Sequence, residues 1–128
     1  MVKELYQDHW LETYKSLISI SLEGFKFSAL ANGGAAVAIL AYLGNVAGKG
    51  AAVPSMQIPM FAFLLGLVFV GLSMLFAYLT QLKLLHEIVA SESPRPMHSW
   101  LLRFAVILFL CSLVAFACGS WLAVVRFG

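Results

Sequence analysis

Charged side chains are scarce in this chain. Only 11% of its 128 residues are Asp, Glu, Lys or Arg, whereas 62% are hydrophobic and the mean hydropathy is +0.93. A soluble domain carries roughly 25% charged residues and fewer than half apolar ones. Because polar side chains are too few to cover a folded chain of this composition, we expect its surface to contact lipid. The length accommodates a single domain, 1–128.

Motifs of catalysis and cofactor binding are also missing. No serine or cysteine nucleophile has a positioned base, no glycine-rich loop follows a strand, and no cysteine spacing fits zinc or haem. Cys111 and Cys118 lie about 10 Å apart along a helix, beyond the reach of a disulfide within it. We therefore predict that the protein is not an enzyme and holds no metal or cofactor.

Basic runs are absent as well. The net charge is only +2, and the few cations flank apolar segments, as they do in membrane proteins. The sequence therefore predicts no nucleic-acid partner. The polar N-terminus, with Glu4, Asp8 and Glu12, is unlike a cleavable signal peptide, so we expect the first apolar segment to stay in the mature protein.

Three long intervals contain no charged residue, namely 27–48, 50–82 and 104–125. A hydrocarbon layer about 30 Å thick needs about 20 helical residues. The sequence therefore predicts an all-α integral membrane protein with three transmembrane helices, placed at about residues 23–44, 59–83 and 99–125.

An amphipathic helix is predicted before the first span, over about residues 2–22. Apolar residues recur there at spacings of three and four. We expect this segment to lie at the membrane surface or to extend the first span outward. Aromatic and basic side chains near the ends of the apolar segments are typical interface anchors, and five are assigned that role: Trp10, Tyr14, Trp100, Arg103 and Trp121.

The distribution of Lys and Arg predicts an orientation. Six of the eight cations precede the first span or flank the second loop, which lie on the same side of a three-span protein. The positive-inside rule then places the N-terminus in the cytoplasm and the C-terminus on the opposite side.

Small residues are concentrated in the first span. Small side chains at a spacing of four let membrane helices approach closely, and an Asn can hydrogen-bond across helices. We expect this segment to mediate packing within the chain or between chains, through Ala31, Asn32, Gly33, Gly34, Ala35 and Ala38.

A polar stripe precedes this segment on the same predicted helix, formed by Ser16, Ser19, Glu23 and Lys26. Glu23 and Lys26 are three residues apart and can neutralise each other on one face. Ionisable residues within a span are candidates for function. Two interpretations stay open: an interfacial ion pair that ends the apolar span, or a functional stripe that lines an aqueous vestibule or binds a partner.

The stretch KFSALANGGAAVAILAYLG is similar to segments of small, uncharacterised bacterial inner-membrane proteins with three or four predicted helices. The similarity covers only this part of the chain. It implies a bacterial inner-membrane location and no activity.

Two functions follow as hypotheses. The first is a non-catalytic subunit or scaffold of a membrane assembly, either a homo-oligomer or a complex with a larger membrane protein. The second is a homo-oligomeric pore or ion channel lined by the first helix, because three helices alone cannot enclose a pathway.

Overall fold

The chain folds into three long helices. A computed structural model describes the backbone of residues 2–50, 55–90 and 97–127, and within these ranges every helix is an α-helix and no strand occurs. The helices are α1 (Val2–Gly48), α2 (Gln57–Ala90) and α3 (Met97–Phe127). Each contains a stretch long and apolar enough to cross a membrane, namely Gln7–Gly48, Gln57–His86 and Ser99–Arg126. The all-α architecture with three apolar helices of spanning length is therefore confirmed.

Helix α1 runs without a break through the predicted amphipathic segment. Its 47 residues extend about 70 Å, which is more than twice the hydrocarbon thickness. The sequence predicted an amphipathic helix over 2–22 that either lies at the membrane surface or extends the first span, and the structure shows no extra helix there. This segment has no proline or glycine to interrupt the backbone hydrogen bonds, so it continues into the span. The 2–22 segment is thus the first part of α1.

The end of α1 lies beyond the predicted stop at Gly44. The helix continues to Gly48 and closes in a turn, in which the Lys49 amide donates to the Val46 carbonyl at 3.1 Å. Gly50 follows with a φ of 67°, a left-handed conformation that glycine adopts without steric cost.

Helix α2 begins earlier and ends later than the predicted 59–83 span. It starts at Gln57, so Pro59 falls in the first turn, where a missing amide hydrogen costs little. It continues past Lys83 to Ala90. The predicted proline-rich second loop, centred on residues 91–99, lies largely outside the described residues, as do residues 51–54 of the first loop.

The helices pack in an up-down-up arrangement in which α2 and α3 form the most extensive contact, and α1 packs mainly on α2. The apolar core at one end joins Ala36 and Ile39 of α1 to Met56 and Phe63. Most other large apolar side chains point away from the bundle. An outward apolar surface of this extent is what a lipid-facing protein requires.

Candidate functional site

The polar contacts between helices fix which residues lie at the same level. Ser28 of α1 meets Ser112 of α3, 84 positions later, and the rings of Phe25 and Phe109 meet edge to face with the same offset. Helices α1 and α3 are therefore parallel, and their levels can be compared residue by residue.

A buried polar junction joins all three helices at this level. Ser28, Asn32 and Ser112 are fully buried, and their side chains meet beside the Gly66 carbonyl of α2. The Ser112 hydroxyl donates to that carbonyl at 2.7 Å. It lies 2.7 Å from the Ser28 hydroxyl and accepts from the Asn32 Nδ2 at 3.3 Å. One hydroxyl of α3 thereby contacts both other helices.

The hydrogen atoms of the junction can be assigned. Because Ser112 gives its only hydroxyl hydrogen to Gly66, Ser28 is the donor between the two serines. The Asn32 Nδ2 faces the Ser28 carbonyl at 3.0 Å, which fixes the orientation of the amide. Its Oδ1 then points at α2 and has no hydrogen-bond partner among the described residues.

Gly66 makes room for this oxygen. A Cβ added at Gly66 would overlap the Asn32 Oδ1 and would lie 2.6 Å from the Cγ. The amide oxygen thus occupies the space that any other residue's side chain would fill. Interhelical hydrogen bonds in membranes contribute about 0.6 kcal/mol each on average, up to about 1.7. The junction therefore specifies the register of α1 more than it adds stability.

Asn32 is among the residues predicted from the sequence, whereas its partners Ser28, Gly66 and Ser112 are not. Serine and glycine occur throughout membrane helices, so neither predicts a buried contact alone. The four-residue spacing of Ser28 and Asn32 was an available signal, because it places both side chains on one face of a helix.

The opposite side of α1 forms a second feature, which we call the outer face. It points away from α2 and α3, because its residues lie about 140–180° around the helix from the mean direction of Ser28 and Asn32, except Ala38, which lies about 100° away. Every one of its members is exposed: Ser16, Ser19, Glu23, Lys26, Leu30, Gly34, Val37, Ala38 and Ala41.

An ion pair lies on the outer face. The Lys26 Nζ donates to the Glu23 Oε1 at 2.8 Å, and the side chains of Lys26 and Glu23 remain 56% and 69% exposed. By the α1–α3 register, Glu23 is level with Ile107 and Lys26 with Leu110, in the first two turns of the uncharged part of α3 that follows Arg103. The pair is thus placed beside apolar segments rather than beyond them.

Its depth follows from helix geometry. With its axis along the membrane normal and its midpoint at the bilayer centre, the 28-residue stretch Ser99–Arg126 would extend about 42 Å, so that about 6 Å would project at each end of a 30 Å hydrocarbon layer. Glu23 then lies about 6 Å and Lys26 about 10 Å inside that layer. A charged residue near the centre of a membrane helix costs about 2.5–3.5 kcal/mol on insertion scales. Mutual pairing offsets part of that cost, and exclusion of lipid would offset more.

The predicted small-residue segment divides between the two sides of α1. Ala31, Gly33 and Ala35 are half-buried; Gly33 faces Leu67, and Ala35 packs against the apolar core. Gly34 and Ala38 are exposed on the outer face. In the part of the chain that the structure describes, nothing lies within 4 Å of a Cβ added at Gly34.

The predicted interface anchors lie near both ends of the bundle. Trp10 stacks on Tyr14 with ring centroids 5.6 Å apart, and the Tyr14 hydroxyl donates to Gln81 of α2 at 2.6 Å. Trp100 packs against Phe104, and Trp121 is exposed. Trp100 and Trp121 are about 32 Å apart along α3, close to one hydrocarbon thickness. Arg103 is exposed less than one turn after Trp100.

Groups able to hold a metal ion do not converge within the described ranges, where no three His, Cys, Asp or Glu side chains come together. Cys111 is half-buried and Cys118 exposed, both as free thiols. The two features that combine several helices or charges are therefore the polar junction and the outer face of α1.

Comparison with protein-family models, curated proteins and solved structures finds no match to this chain.

Proposed function

We propose that this chain is a non-catalytic integral membrane protein that serves as a subunit or scaffold of a membrane assembly, with the outer face of α1 as its contact surface. The polar junction and the core hold the three helices together through the inner side of α1. The outer side is left for a partner, which is either another copy of the chain or a larger membrane protein.

The ion pair carries this proposal. Glu23 and Lys26 are exposed at the level of apolar segments of α3, where contact with lipid is unfavourable. A packed protein surface supplies what lipid lacks, namely polar groups and exclusion of hydrocarbon. Gly34 and Ala38, on the same face, let a partner helix approach closely.

We further propose that the protein lies in a bacterial inner membrane with its N-terminus in the cytoplasm. The resemblance of the small-residue segment points to a bacterial inner membrane. The cation distribution favours a cytoplasmic N-terminus and a C-terminus on the opposite side. The first third of α1 carries Trp10 and Tyr14, which suit an interfacial position, so we assign residues 2–22 to the cytoplasmic membrane surface and its immediate surroundings.

Photo-crosslinking in native membranes tests the contact surface. A photoreactive amino acid at Val37, on the outer face, is expected to give an adduct with a protein. The matched control at Val106 of α3 is also exposed and apolar, and is expected to give only lipid adducts or none. Absence of any protein adduct from Val37 and also from Leu30 would refute the proposed function.

A homo-oligomeric pore is the second candidate, favoured by one observation. Ser16, Ser19, Glu23 and Lys26 are all exposed along one face, as the lining of an aqueous path would be. Leu30 and Val37 continue that face with apolar side chains, which favours the scaffold. Conductance in planar bilayers separates the two: Glu23→Gln alters ion selectivity in a pore, whereas a scaffold conducts nothing.

A further inference from the structure

We infer that the partner on the outer face of α1 is a second copy of this chain, in parallel orientation, with Glu23 of each copy paired to Lys26 of the other. This inference rests on the proposed function and names the occupant of the same surface.

The charges of the outer face complement themselves. One anion and one cation lie three residues apart, and no other charge occurs between Lys26 and Lys49. When such a face meets its own copy across a two-fold axis, each Glu23 lies about 4.5 Å in axial height from the other copy's Lys26. Two reciprocal ion pairs then form, and neither copy contributes an unmatched charge.

The shape of the face also suits a second helix. In the described part of the chain, the space around Gly34 is open, and Ala38 and Ala41 continue the small surface toward the C-terminal end of α1. Backbones can approach closely there. Lys26 lies about two turns and Glu23 about three turns from Gly34, where crossing helices have separated and long side chains span the gap. Close contact and ion pairing therefore occupy different levels of one surface.

The membrane sets the orientation. Copies inserted with the same topology are related by a two-fold axis along the membrane normal. Each residue therefore lies at the same membrane depth as the equivalent residue of the other copy. The inner side of α1 is already occupied by α2 and α3 through Asn32 and Ser28. The outer face is thus the side of α1 that such an axis can join.

Charge exchange between copies provides the decisive experiment. Two differently tagged chains are made, one carrying Glu23→Lys and the other Lys26→Glu. Each alone places like charges on both copies, so we expect its dimer fraction in nanodiscs to fall at least tenfold. Expressed together, the two chains are expected to co-purify as a one-to-one dimer. A heterodimer no more abundant than either homodimer would overturn the inference.

A second pair of variants avoids charges within the membrane. Gly34→Leu fills open space in the monomer, so it should leave helicity and thermal stability unchanged while lowering the dimer fraction at least tenfold. Gly71→Leu is the matched control, an exposed glycine of α2 with open surroundings among the described residues. Equal dimer fractions in the two variants would contradict the assigned interface.

The photo-crosslinking result separates this inference from the proposed function. An adduct of Val37 with twice the mass of the chain supports both. An adduct of a different mass, together with a monomer in nanodiscs, leaves the subunit role standing and refutes the second copy.

Disulfide formation tests the parallel orientation in a chain without Cys111 and Cys118. Disulfides between copies formed by Val37→Cys and also by Ala41→Cys support the parallel orientation, whereas an antiparallel pair of helices gives at most one of them.

Discussion

At the scale of single residues, the polar junction depends on the absence of a side chain. The Asn32 amide uses both of its hydrogens, one on the Ser28 carbonyl and one on the Ser112 hydroxyl. Its oxygen occupies the space that a side chain at Gly66 would fill. Burying an acceptor that has no hydrogen-bond partner is costly, and a side chain at position 66 would add steric overlap to that cost. Gly66 is therefore a specific requirement of this amide.

Gly66→Ala is expected to lower the free energy of unfolding by about 1–3 kcal/mol, because the new methyl group overlaps the Asn32 amide and forces α1 from α2. The measurement is unfolding in mixed detergent micelles, followed by helicity. Gly71→Ala is the control; its open surroundings in the described structure predict no loss, since alanine is the better helix former. Equal stability of the two variants would show that the overlap is relieved without cost.

At the scale of helices, α2 and α3 are held together by two further contacts on either side of the polar junction. The Ser73 hydroxyl of α2 donates to the Ala105 carbonyl of α3 at 2.6 Å. Nearer the other end, Phe63 lies so close to Gly119 that an added Cβ would be 2.9 Å from the ring. Phe63 is 2% exposed, so its ring cannot turn away. This pair holds α2 and α3 at a short separation.

Gly119→Ala is expected to destabilise the helix pair by about 1–3 kcal/mol through overlap with the Phe63 ring. Phe63→Leu alone should also destabilise, because it leaves a cavity. The double variant is expected to lose less than the sum, with a coupling of about 0.5–3 kcal/mol, since the smaller side chain accommodates the methyl group. The same unfolding assay measures all three, and strictly additive losses would exclude direct contact as the cause.

The spans were predictable because their signal is local. Uncharged intervals of 20 or more residues identify membrane helices without knowledge of their neighbours. The sequence left the continuity of α1 open, since amphipathic and fully apolar stretches share one helical period and nothing between them breaks the backbone.

The candidate site was harder to predict because it depends on register between helices. Four-residue spacings occur on both sides of α1, in Ala31 with Ala35 and in Gly34 with Ala38. Only contact with α2 distinguishes the half-buried pair from the exposed one. Gly66 and Ser112 had no distinguishing neighbours in sequence, so their meeting with Asn32 could not be anticipated.

At the scale of the whole molecule, the two ends of the bundle are unlike. One end carries Tyr14 bonded to Gln81, with the first turns of α1 and the last turns of α2 beyond it. At the other end, Arg126 donates to the Ser55 carbonyl at 3.3 Å, and α1 closes at Gly48. The end that carries Tyr14 and Gln81 is thus both the cation-rich end and the end at which more of each helix extends beyond its apolar stretch.

Labelling with a membrane-impermeant maleimide tests the orientation. In a chain lacking Cys111 and Cys118, Lys49→Cys is expected to react in intact spheroplasts, whereas Gln7→Cys should react only after the membrane is opened. Both positions are exposed, so accessibility within the fold does not separate them. The reverse pattern would invert the assigned topology.

The distance along the chain between partners of the polar junction has a consequence for biogenesis. Ser112 is synthesised 80 residues after Asn32, and synthesis proceeds at about 5–20 residues per second. For roughly 4–16 s after Asn32 is synthesised, Ser112 does not yet exist, so the Asn32 amide of the nascent first helix lacks this hydrogen-bond partner. During that interval both sides of the helix are polar. We therefore expect the insertion machinery, or a helix already in the bilayer, to shield the Asn32 amide during that interval.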